Sequence, residues 1–211
     1  NIPAVKALYL VGSQKGVEFA QRMGYSTISD PDRFGLSLVL GGGEVTPLDH
    51  AAAYSIFANG GLYYEPVSVL KVEDSNREII KEWKKPEDKR VIEKDLASLI
   101  SNVLSDDAAR SYIFGAGGPL TLPGRPVAAK TGTTNNVIDA WTVGYTPSLV
   151  SVVWVGNTDN TPMHPTYSGT RIAAPIWNSF MKGALVNMPV ESFPSAPPNT
   201  AEKPALRGSQ G

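Results

Sequence analysis

The chain has 211 residues, a formal net charge of −1 and no cysteine. That length allows one domain with a real core, the charge gives nucleic-acid binding no electrostatic support, and the absence of thiols excludes a disulfide frame or a thiolate metal centre. No apolar run reaches the roughly 20 residues a membrane-spanning helix needs, and the scattered Asp and Glu form no metal signature. The absence of cysteine fits an exported protein. The first residue is Asn1, not Met, with no signal-peptide pattern after it, so the chain is expected to be a piece of something longer.

In chain order, Asn1-Ile2-Pro3-Ala4-Val5-Lys6 opens a helix: Pro3 suits a first turn, and Val5, Leu8 and Val11 recur at helical spacing. Ser13 is placed to cap a second helix with Val17, Ala20 and Met23 on one face and Gly24 as its stop. Asp30-Pro31-Asp32 reads as a turn, and 36–43 as a short apolar segment ending in three glycines. Thr46-Pro47-Leu48-Asp49 is a strong helix start, with Thr46 as N-cap, Pro47 first in the helix and Asp49 adding negative charge to its first turn. Gly60-Gly61 ends that helix. His50 lies inside it and reads as a packing or surface residue, because a lone helical histidine is seldom a ligand.

Segments 66–72 and 78–83 read as two strands of a hairpin turning at Asp74-Ser75-Asn76-Arg77. The charged stretch 84–90, with Pro86, reads as a solvated connection. Leu96, Leu99, Ile100, Val103 and Leu104 mark the apolar face of a helix after Glu93, and 105–118 is polar, then glycine-rich.

The stretch 126–134 reads Pro-Val-Ala-Ala-Lys-Thr-Gly-Thr-Thr. Its apolar start predicts a buried or edge strand entered from the turn Pro123-Gly124-Arg125-Pro126. Alternation puts Thr131 and Thr133 on one face, with Lys130 on the other or at the rim. Gly132 leaves a gap where a ligand backbone approaches closely. A cation, hydroxyl donors and strand N–H groups together make a seat for a peptide carboxylate. Strands 141–145 and 149–156 follow, joined at Thr146-Pro147-Ser148. The last is apolar on both faces, so helices are expected on both sides of the sheet. After the polar loop 157–169, which holds His164, a helix runs to about Leu185 with Ile176, Phe180 and Ala184 on one face. From Pro189 onward proline and small polar residues dominate. The reading is a domain over 1–188 and a disordered tail or linker over 189–211.

Several of these stretches, in the same order, resemble the transpeptidase domain of class A (bifunctional) penicillin-binding proteins. They are Asn1 before Pro3-Ala4-Val5, the run from Gly41-Gly42-Gly43-Glu44-Val45-Thr46-Pro47 to Asn59-Gly60-Gly61, Lys130-Thr131-Gly132-Thr133, Asp139-Ala140-Trp141 through Gly144-Tyr145-Thr146-Pro147, and Ala173-Ala174-Pro175-Ile176-Trp177. The resemblance covers residues 1 to about 186. It implies an α+β fold of the penicillin-binding/serine β-lactamase type, with an antiparallel sheet to which this chain gives three strands, incomplete without an N-terminal segment. It implies cross-linking of peptidoglycan stem peptides through an acyl-serine, trapped by β-lactam antibiotics, on the extracytoplasmic side of a bacterial membrane, with no cofactor. By resemblance Lys130 supplies positive charge and helps proton transfer, Thr131 and Thr133 donate to the substrate carboxylate, the Thr133 N–H is an oxyanion donor, and Asn1 holds the substrate amide.

The nucleophile of such an enzyme, the serine of Ser-x-x-Lys, belongs upstream of Asn1, so an N-terminal partner segment is expected. Ser68-Val69-Leu70-Lys71 has the spacing but lies on a predicted strand, where i and i+3 point to opposite faces. Ser179-Phe180-Met181-Lys182 has helical geometry but follows the Lys-Thr-Gly strand. Neither is read as the nucleophile. Two further classes remain: a non-catalytic module that binds peptidoglycan or protein through the Lys130 strand, and a β-lactamase-like hydrolase, for which no deacylating carboxylate motif is seen.

Overall fold

In the computed structural model, which describes residues 1–115, 117–198 and 200, the chain opens with two successive helices, α1 (Ile2–Val11) and α2 (Ser13–Arg22). Gly12, at φ 90°, separates them and is the N-cap position of α2, so Ser13 is the first helical residue and not the cap. The Asp30-Pro31-Asp32 turn proves to be the start of a helix, α3 (Pro31–Phe34). Asp30 Oδ1 accepts from the Asp32 N–H at 3.0 Å and Pro31 fits the first turn. A 3-10 helix (Gly35–Leu40) carries the apolar segment to the glycines. α4 (Pro47–Ala58) starts where its signal lies, with Thr46 Oγ1 accepting from the Asp49 N–H at 3.0 Å.

Four short strands follow: β1 (Leu62–Tyr63), β2 (Lys71–Glu73), β3 (Ile79–Glu82) and β4 (Lys89–Arg90). β2 and β3 form the expected hairpin, but its first strand begins at Lys71 and leaves 66–70 irregular. Asp74 Oδ1 closes the turn by accepting from the N–H groups of Asn76 and Glu78 at 2.9 and 2.8 Å. The end of the expected solvated connection is a strand instead, β4, which pairs antiparallel with β1. α5 (Lys94–Ser105) leads to α6 (Asp107–Phe114), a helix in the polar stretch to which the sequence reading assigned no element. Its start is fixed by Asp106, whose Oδ1 accepts from the Ala109 N–H at 2.9 Å.

The central sheet is β5 (Ala128–Thr133), β6 (Asp139–Tyr145) and β7 (Val150–Gly156), antiparallel in sequence order. A π-helical turn (Gly169–Ala173) leads into α7 (Ala174–Ala184). α4 and α5 pack on one face of the sheet, and α7 on the other. Helices therefore lie on both faces, as the apolar third strand required. Trp177 anchors α7. It is wholly buried, and a Cβ at Gly144 would come within 2.3 Å of its Cζ2, so only glycine on β6 leaves room for the indole. Burial of a side chain this large contributes on the order of 3–5 kcal/mol, judged by the usual cost of truncating it.

Two helix faces differ from the sequence reading. On α7 the buried residues are Ala174, Trp177 and Met181, while Ile176 and Phe180 are 50% and 54% exposed. On α5 the buried residues are Ala97, Ser98 and Ser101, and Ser101 Oγ lies 3.0 Å from the Tyr145 hydroxyl. The Leu96, Leu99, Ile100 and Val103 stripe is exposed. Small side chains let α5 approach the sheet closely, and that contact outweighs the larger apolar stripe on its other side. Chain 189–198 has no helix or strand, yet it stays on the body: Phe193 meets Tyr145 edge-on at 5.5 Å, and Ser148 bonds to Glu191. The rest of the expected tail, apart from residue 200, lies outside the described residues.

Candidate active site

β5 pairs only with β6 among the described residues, so its outer backbone edge is open. Beside it lies a cleft of about 810 Å³. The glycine segment 41–43, the start of α4 and the α4-facing side of the sheet line it. Lys130, Thr131, Gly132 and Thr133 all border this cleft, together at one strand end as the sequence predicted.

Cross-strand register sets which side chain faces where. Lys130 stands opposite Val143, Gly132 opposite Trp141, and Trp141 in turn opposite Trp154. This row of positions faces α4, because Trp141 meets His50 of α4 edge-on at 5.6 Å. Thr131 and Thr133 belong to the other face. There the π-helical turn abuts the strand: Thr133 Oγ1 accepts from the Gly169 N–H at 2.9 Å, and Thr142 Oγ1 donates to the Gly169 carbonyl at 3.2 Å. The Lys130 ammonium donates to the Thr131 carbonyl at 2.6 Å, and partial desolvation lowers its pKa below the usual lysine value. A Cβ at Gly132 would meet nothing closer than Trp141 Cβ at 3.4 Å, so the space over this residue is open to the cleft.

Asp139 locks the far end. Its Oδ1 accepts from Trp154 Nε1 at 2.8 Å and its Oδ2 from Thr134 Oγ1 at 3.0 Å, which pins the turn that follows the Lys-Thr-Gly strand. His50, read from sequence as a bystander, borders the cleft between Tyr54 and Trp141, and burial depresses its pKa to about 4. Nothing local in sequence flags it, because its neighbours arrive from β6 and from the segment after α2.

Asn1 does not border the cleft. It is exposed at the N-cap position of α1, with no side-chain capping bond. Neither Ser-x-x-Lys spacing reaches the cleft: Lys71 pairs with Glu73 at 2.7 Å, and Ser179 and Lys182 are exposed on α7. His164 closes its own loop through Thr166 Oγ1 at 2.8 Å. Among the described residues no group of three or more His, Cys, Asp or Glu is placed to hold a metal.

Residues 1–182 match the family described as "Penicillin binding protein transpeptidase domain". The chain belongs to this family. Its α+β architecture, with an antiparallel sheet between helices, is the penicillin-binding fold. It is 35% identical over 204 residues to penicillin-binding protein 1A of Aquifex aeolicus, covering 94% of this chain and 26% of that protein. Against penicillin-binding protein 1A of Mycolicibacterium smegmatis the identity is 37%, covering 74% of this chain and 21% of that protein. The crystal structure of penicillin-binding protein 1A from Haemophilus influenzae superposes with a TM-score of 0.77 at 27% identity, over 93% of this chain and 34% of that one. The PonA1 protein of Mycobacterium tuberculosis, solved in complex with penicillin V, gives 0.71 at 30% identity, over 83% of this chain and 50% of that one. The chain thus spans about a quarter of the length of these curated relatives.

Proposed function

We propose that this chain is the carboxylate-gripping part of a peptidoglycan D,D-transpeptidase specific for D-Ala-D-Ala stem peptides, with residues 1–188 as part of its catalytic domain. The observation that carries this reading is Lys130 on an open-edged strand beside the uncluttered Gly132, bordering a cleft of about 810 Å³. A serine in an N-terminal segment carrying Ser-x-x-Lys attacks the carbonyl of the penultimate D-Ala. The Oγ–C bond forms, the serine proton passes to a base, and the oxyanion is held by backbone N–H groups including that of Thr133. The C–N bond then breaks, and the terminal D-Ala leaves with a proton on its amine. An amine from a second stem peptide attacks the ester, takes the acyl group, and returns the proton to the serine. Lys130 neutralises the substrate carboxylate, Thr131 and Thr133 border the cleft beside it, and Gly132 lets the peptide backbone approach.

β-Lactams present the same carboxylate and acyl group, so they acylate the same serine; the penicillin V complex of the PonA1 relative supports this. Uncovered apolar side chains support the need for an N-terminal segment. Ile2 and Leu10 on α1 are 83% and 74% exposed, and the α5 stripe is bare. The setting is the extracytoplasmic face of a bacterial cytoplasmic membrane.

The test uses the full-length protein, fluorescent penicillin and a denaturing gel. Covalent label that falls sharply in Lys130→Ala supports a transpeptidase. Saturable stem-peptide binding without label, lost in the same variant, indicates a non-catalytic binding module. Rapid consumption of the antibiotic indicates a β-lactamase-like hydrolase.

A further inference from the structure

We propose that His50 is a ligand-binding residue of this cleft, donating its Nε2–H to an oxygen of the peptide carboxylate whose charge Lys130 neutralises. The proposal rests on the transpeptidase reading for the identity of the ligand, but the state of the imidazole follows from the fold alone.

Three observations carry it. His50 Nδ1 lies 2.8 Å from the Tyr25 hydroxyl, and Tyr25 is not among the cleft-lining residues. The Nδ1 edge of the ring is therefore turned away from the cleft. Nε2 has no hydrogen-bond partner among the described residues, it is not one of the fully buried atoms left unpaired, and His50 is one of the residues that border the cleft. The ring is also held in place. Tyr54 lies 4.9 Å from it on one side, and Trp141 meets it edge-on at 5.6 Å.

The tautomer follows from the same contacts. Burial raises the Tyr25 pKa, so the phenol keeps its proton. Its hydroxyl makes no other hydrogen bond among the described residues. If Nδ1 carried the hydrogen, the Tyr25 O–H would lose its only acceptor there, so Tyr25 donates to Nδ1. Burial keeps the imidazole neutral at neutral pH. A neutral ring that accepts at Nδ1 carries its hydrogen on Nε2, and Nε2 is then a donor.

Position gives the donor its use. Trp141 is the cross-strand partner of Gly132, so the imidazole lies over the row next to Lys130 on the same face of the sheet. Such rows are roughly 6.6 Å apart, a span that a flexible lysine and a carboxylate bridge together. The two threonines of the motif belong to the opposite face, and Thr133 Oγ1 is held there by the Gly169 N–H. His50 thus offers a neutral donor on the side of the ammonium.

The test compares three full-length proteins: wild type, His50→Gln and His50→Asn. Glutamine places an amide N–H near the Nε2 position, whereas asparagine reproduces the Nδ1 acceptor for Tyr25 and removes the donor to the cleft. Fluorescent penicillin acylation is followed over a concentration series, alongside melting temperature. The expected result is that His50→Gln acylates within about twofold of wild type. His50→Asn keeps its melting temperature but needs about tenfold more penicillin for half-maximal rate, the contribution of one hydrogen bond to a charged acceptor. Full acylation by His50→Asn, or losses in both variants that track melting temperature, overturns the proposal. Side-chain nitrogen NMR reads the tautomer independently: hydrogen on Nε2 supports the assignment, and hydrogen on Nδ1 overturns it even where wild-type protein is not acylated. A wild type that is never acylated counts against the transpeptidase reading instead.

Discussion

Gly132 and Gly169 meet back to back at one point of the sheet, and alanine at each should do opposite things. A Cβ at Gly132 would project toward the cleft, with Trp141 Cβ at 3.4 Å as its nearest neighbour, an ordinary contact. Gly132 also has no left-handed φ to relax. Gly132→Ala should therefore leave stability unchanged or raise it by about 0.4–1 kcal/mol, through a less flexible unfolded chain. A Cβ at Gly169 would stand 2.4 Å from the Gly132 carbonyl oxygen and 2.5 Å from that of Trp141. Both are backbone atoms of paired strands and cannot swing aside. Gly169→Ala should therefore cost about 1–3 kcal/mol, the range for overpacking a close contact. Activity should divide the other way. The Gly132 methyl occupies the space a ligand backbone needs, so fluorescent penicillin acylation of the full-length protein should fall by about 10- to 100-fold while its melting temperature holds. Normal acylation by Gly132→Ala, or a melting temperature lower than that of Gly169→Ala, would show that the glycine serves packing and not the ligand.

Protonation of His50 should destabilise the fold in acid. Its folded pKa of about 4 lies below the unfolded 6.5, so the unfolded chain takes up the proton first. Stability that is complete above pH 6.5 is then lost as the pH falls toward 4, by about 3 kcal/mol in all. Denaturant titrations at pH 7 and pH 4.5 should show a smaller acid loss in His50→Gln than in wild type; equal losses would refute the buried neutral imidazole. Arg125 should hold the chain after α7 to the body. Its guanidinium donates to the carbonyls of Met188 at 2.6 Å and Leu185 at 3.2 Å, and also to that of Pro189. Arg125→Ala should cost about 1–3 kcal/mol and expose 186–193 to limited proteolysis, and an unchanged cleavage rate there would contradict this anchoring role.

Much of the framework was legible because the signals were short-range. Thr46-Pro47-Leu48-Asp49 announced α4, and the cap bond that fixes it spans three residues. Alternation along 126–134 put Thr131 and Thr133 on one face, with Lys130 on the other or at the rim, before any register was known. The Lys-Thr-Gly motif located the cleft. Reading failed where a distant partner made the choice. The aliphatic stripes of α5 and α7 looked like core, but Ala97, Ser98 and Ser101 face the sheet on α5, and Trp177 enters the socket at Gly144 on α7. His50 gave no local sign either, since Tyr25 and Trp141 reach it from 25 residues before and 91 residues after.

The amino-acid order alone therefore determined the start of α4, the three strands of the central sheet, the alternation within them and the motif that marks the cleft. Each depends on dihedral preference and bonds between near neighbours. The fold alone decided which face of each helix is buried, that Asn1 stands apart from the cleft, and that His50 borders it. Those outcomes depend on which remote surfaces meet, and an amphipathic pattern states only that an apolar face exists, not what will come to cover it.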